Sequence, residues 1–126
     1  MENKSEPREY KDWRPGLWDR KGDAAYTFGY HFIKYCCDQA VDNLPNDMKI
    51  EDKEKAIDSI HIALHNVMDL VEGFWKLESG KDNYVEYHLQ VVVKDKDHSE
   101  IEKISIAPGL DLPIGFWKWV KDREYR

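Results

Sequence analysis

Apolar positions along this chain follow two periods, and the switch between them divides the molecule. From Ala25 to Leu44 apolar residues cover most of a helical circumference, while Thr27, His31, Lys34, Asp38 and Asp42 share one narrow arc. A helix that apolar is covered on more than one side, so it is predicted to be the central element of the core. It is expected to start after Gly22 with Asp23 as N-cap and to stop before Pro45. Gly29 within it is expected to admit the close approach of another backbone. A second run, Ile57, Ile60, Leu64, Val67, Met68, Val71, Phe74 and Trp75, repeats every 3.6 residues. It predicts a helix from about Glu51–Asp52, where acidic residues suit the positive end of the helix dipole, to about Leu77, with Gly80 as the stop signal. The short loop between the two helices predicts an antiparallel pair.

At residue 83 the period falls to two. Val85, Tyr87, Leu89, Val91 and Val93 point one way, and Tyr84, Glu86, His88, Gln90 and Lys94 the other, which is the pattern of a half-buried antiparallel strand over 83–94. Asp95 to His98 is a polar turn. Residues 100–107 return as a second strand with Ile104 and Ile106 inward, and Pro108-Gly109 ends it. A short helix from Leu112 then places Phe116, Trp119 and Val120 on one face and leaves Trp117 pointing elsewhere. Residues 1–22 read as an irregular arm, turned at Pro15-Gly16 and pinned by Trp13, Leu17 and Trp18. The prediction is an α+β domain over 23–126 carrying that arm: two long antiparallel helices on a small antiparallel β-hairpin sheet, with a short C-terminal helix. A two-stranded sheet is marginal alone, so the arm or a second copy of the chain is expected to add a strand, and a homodimer is expected.

Composition narrows the class. At 126 residues and 41% hydrophobic, the chain suits a single domain with its own core. No apolar run reaches membrane-spanning length, and the opening MENKSEPREY lacks the apolar stretch of a secretory signal, so a cytoplasmic protein without a membrane span is expected. The two cysteines, Cys36 and Cys37, are adjacent. Neighbours on a helix point about 100° apart and make no ordinary disulfide, and both are expected to be buried as small apolar residues. The net charge of −6 argues against nucleic-acid binding through phosphates. The acidity is concentrated in residues 23–79, with eleven acidic and five basic groups, a surface suited to a basic protein partner.

The candidate chemistry is a polar stripe on the second helix: Asp58, His61, His65, Asp69 and Glu72, spaced three, four, four and three. Two histidines one turn apart with Asp69 one turn further can hold zinc or a similar divalent ion, with Glu86, His88 or His31 as an outside ligand. The same spacing also describes the wet margin of an amphipathic helix, with i,i+3 and i,i+4 pairs of small value. No Gly-x-Ser-x-Gly elbow, His-Glu-x-x-His motif or phosphate-binding glycine loop is present. Five tryptophans, several near the chain ends, exceed what a small core requires, and Trp13 and Trp117 are the expected interface anchors. The favoured reading is a small, acidic, non-catalytic protein-interaction module of binding or inhibitor type. The alternative is a metal-binding protein or small metal-dependent hydrolase built on His61, His65 and Asp69, in which metal-bound water attacks the substrate.

Overall fold

Pro15 and Gly16 turn the chain and the first helix follows at once. The computed structural model describes residues 6–121; in it α1 spans Leu17–Phe32, with Gly16 in extended conformation at its N-cap. The helix thus begins earlier than the sequence suggested, because Asp23 is not a cap. It sits more than a turn inside α1, 4% exposed, and its carboxylate is satisfied by the arm. The backbone N–H of Arg14 donates to Oδ2 at 2.9 Å, and the Arg14 guanidinium donates to both oxygens, at 2.9 and 3.2 Å. Arg8 adds a further bond at 2.9 Å. Burial pushes the Asp23 pKa up, but the bonds from Arg14 and Arg8 outweigh it and hold the carboxyl at about 2.

The arm makes one 3-10 turn, Tyr10–Asp12, and inserts Trp13 into the core. The Trp13 indole N–H donates to the carbonyl of Arg8 at 3.0 Å, and Tyr10 packs edge-on against its ring. A second ionic clasp lies alongside. Arg20 donates two bonds of 2.7 Å to Glu102, and the Tyr10 hydroxyl donates to the same carboxylate. Arg20 first, then Tyr10, lower the Glu102 pKa to about 2. Leu17 and Trp18, expected to pin the arm, are instead largely exposed. The fixing is done by Trp13 and the two carboxylates.

The helix continues through a π-helical stretch, Ile33–Asp38, into a last turn, α2, Gln39–Asp42. Ile33 and Cys37, four positions apart, share the inward face and are buried, while Cys36, about 100° away, is exposed, against the expectation that both cysteines are buried. After a loop, α3 runs Ile50–Glu72 and ends well before Leu77. Gly73 adopts φ 74°, its N–H donates to the carbonyl of Leu70, and the N–H of Phe74 donates to that of Asp69, both at 3.2 Å. This is the Schellman ending, which needs a left-handed residue at Gly73. Phe74 and Trp75 therefore leave the helix and lie exposed.

The sheet has two antiparallel strands, β1 at Leu89–Lys94 and β2 at Glu100–Ala107, with Val91 opposite Ile104. Leu89, Val91, Val93, Ile104 and Ile106 join the core, as the alternation predicted. Only the second half of the predicted 83–94 strand is paired, because β2 ends opposite Leu89. The last helix, α4, spans Leu112–Lys121 and buries Phe116 completely. Its Trp119 ring lies over Gly29, where a Cβ would overlap the indole. The glycine thus admits a side chain from α4 rather than a backbone. The fold is α+β: α1 covers the sheet, α4 packs against α1 and α3, and α3 also packs against the π-helical stretch and α2.

Removing the arm's anchor should destabilise the whole domain. Asp23→Ala is expected to lower unfolding free energy by about 2–3 kcal/mol, since it removes several charge-assisted bonds at once. Denaturant titration checks the loss, and Arg8→Ala, which removes a single contact, should cost less.

Candidate functional site

The polar stripe of α3 does not face solvent; most of it forms the seam with α4. His65 stacks on the Trp117 ring, centroids 4.8 Å apart and planes 26° from parallel. Its Nδ1 lies 3.5 Å from Asp69 Oδ2. Both His61 and His65 meet Phe116 at an edge-to-face angle, at 6.3 and 5.9 Å. Burial lowers the His61 pKa below its ordinary 6.5, with Asp58 acting weakly in the opposite direction.

Glu72 has the clearest role. Its Oε1 accepts the N–H of Leu112 at 3.0 Å and its Oε2 the N–H of Gly109 at 2.9 Å. Leu112 is the first residue of α4. A helix needs acceptors for its first N–H groups, normally from its own N-cap. Here the acceptor comes from the end of α3, and its negative charge also suits the positive end of the α4 dipole.

The five stripe residues therefore divide. Glu72, Asp69, His65 and His61 lie along the contact with α4, and Asp58 is exposed. Among the described residues no three His, Cys, Asp or Glu side chains come together in a way that could hold a metal ion. The proposed outside ligands are elsewhere engaged: His88 Nε2 pairs with Glu86 at 2.7 Å on the surface, and His31 sits between Tyr30 and Tyr35 on α1. Of the two expected interface anchors, Trp13 is only 8% exposed and belongs to the core, whereas Trp117 keeps 45% of its surface open beside His65. No helix among the described residues is long and apolar enough to cross a membrane.

The more notable surface includes residues read from the sequence as core: Phe74, Trp75, Val85 and Tyr87. After Gly73 the chain makes a narrow excursion before β1. Its legs are tied by the Val85 N–H to the Leu77 carbonyl at 2.9 Å and by the Ser79 N–H to the Asn83 carbonyl at 2.8 Å. Lys76 places its ammonium 4.7 Å from the centre of the Tyr84 ring. Phe74, Trp75, Tyr84, Val85 and Tyr87 are all between 41% and 61% exposed. The helical and strand periods both run through these residues, which hid their exposure; Gly73, able to end α3 early, was the available signal. No protein-family model, curated protein or solved structure matches the chain.

Two measurements test the seam. Glu72→Ala strands the first N–H groups of α4 and should cost about 1–2 kcal/mol, with hydrogen exchange accelerated first at residues 112–115. For His61, the folded pKa lies below the unfolded one. Its contribution to stability is full above pH 6.5 and is lost as pH falls from there toward the lowered folded value. Denaturation midpoints at about pH 7.5 and 5.5 should thus differ more in the wild type than in His61→Gln.

Proposed function

We propose that this protein is a small cytoplasmic, non-catalytic interaction module that docks through the aromatic excursion of residues 74–87. The observation that carries the reading is the exposure of Phe74, Trp75, Tyr84, Val85 and Tyr87 within one short tied loop. Aromatic side chains dominate the energetics of protein interfaces, and clustered exposed apolar residues on a small domain mark contact sites. The backbone bonds at Leu77–Val85 and Ser79–Asn83 hold the loop in shape, which lowers the ordering cost of binding. Trp117 offers a further exposed ring. The alternative, a metal-dependent hydrolase at His61, His65 and Asp69, has weaker support, because both histidine rings are taken up against Phe116 and Trp117.

The test places a photo-crosslinking amino acid at Tyr84 and, as a control, at the exposed Glu54 on α3. Irradiation in the producing cells should yield a discrete crosslinked protein species from position 84 and not from 54. Adding Trp75→Ser and Tyr87→Ser should abolish it. Equal crosslinking from both positions, or none from 84, sinks the reading.

A further inference from the structure

We infer that the partner of this region is a second copy of the chain, joined edge to edge through β1 about a two-fold axis to make a four-stranded antiparallel sheet. The inference rests on the interaction reading above and names its occupant. Among the described residues the sheet holds two strands, so β1 has β2 on one side only. Glu102 of β2 is bound by Tyr10 and Arg20, which tie the arm and α1 to that strand. The outer edge of β1 carries Leu89, Gln90 and three consecutive valines, Val91–Val93. This is a strongly strand-forming sequence, and it lacks the proline or central lysine that commonly blocks an edge.

The alternating pattern also outruns its partner. Glu86, Tyr87 and His88 continue the polar–apolar alternation of the sequence past Leu89, where β2 has already ended, and all three are exposed in the single chain. The sequence is thus built for a longer strand than β2 can pair. An antiparallel copy of the same segment supplies the missing neighbour for residues 86–94.

Self-pairing is favoured by charge. In an antiparallel pair centred on Gln90, residue 86 of one copy faces residue 94 of the other; centred on Val91, residue 86 faces residue 96. The first sets Glu86 against Lys94, and symmetry repeats the pair; in the second, Lys96 lies in the β1–β2 turn outside the ladder, so charge favours the centre at Gln90. Opposed residues in a sheet share a face, so both centres keep Leu89, Val91 and Val93 on the inner side of both copies. Glu86 is exposed and held only by His88 in the single chain, so it is accessible to a partner's lysine. The excursion bearing Trp75, Tyr84 and Tyr87 leads directly into this edge and flanks the joint.

Sedimentation equilibrium of the full-length protein across a dilution series tests this. The wild type should dimerise. Glu86→Lys should weaken the dimer by about tenfold or more, since two attractive cross-strand pairs become repulsive. Adding Lys94→Glu to it should restore the dimer. Both sites are exposed, and circular dichroism confirms that each variant folds. A wild type that stays monomeric overturns the inference, as does a dimer indifferent to Glu86→Lys. A monomer that still gives the Tyr84 crosslink to another protein removes the second copy and leaves the interaction reading standing. A monomer with no crosslink removes both.

Discussion

Asp23 governs how the first third of the molecule is assembled. A carboxylate inside a helix and nearly out of water needs charged donors around it. The chain supplies them from Arg8 and Arg14, residues that precede the helix. Meeting that need folds the arm back along α1, and the fold-back places Trp13 in the core and Tyr10 against Glu102. The arm is consequently structural, although its sequence is charged and irregular. Glu102 repeats the arrangement from the sheet side, with Arg20 as its donor. Two buried or half-buried carboxylates, each clasped by arginine, thus join arm, helix and sheet.

Much of the fold was legible in the sequence wherever one period ran uninterrupted. The second strand, the inward Ile104 and Ile106, and the short last helix with Phe116 and Val120 buried all follow from spacing alone. Boundaries failed where a local rule competed with a tertiary partner. Asp23 matches a helix cap in every local respect, and only the arginines folding back from the arm make it an anchor. Gly73 ended α3 through its left-handed conformation, although the apolar period continued unbroken through Trp75. Cys36 and Cys37 had different fates because neighbours on a helix face different ways, and the second side of this helix that the apolar pattern implied is left uncovered at Cys36.

The candidate site was legible only in part, because spacing reports which side chains share a face and not what that face meets. The stripe on α3 was correctly grouped, yet its setting comes from α4, some forty positions along the chain. Once Trp117 lies on His65 and Phe116 beside both imidazoles, the polar ridge works as packing between α3 and α4. Of the residues in the proposed contact surface, Phe74, Trp75, Val85 and Tyr87 are ones that apolar periodicity assigned to the core, and Tyr84 was expected on the outer face.

The carboxylate of Glu72 has one more consequence. The Leu112 N–H at the start of α4 is met by an atom that its own segment does not contain, so the start of that helix depends on the end of α3. A short helix beginning Leu-Pro-Ile-Gly has little tendency to nucleate alone. Its start is settled only when the far end of α3 has formed and been terminated at Gly73. The end of α3 and the start of α4 are therefore coupled through one carboxylate, and whatever loosens one loosens the other.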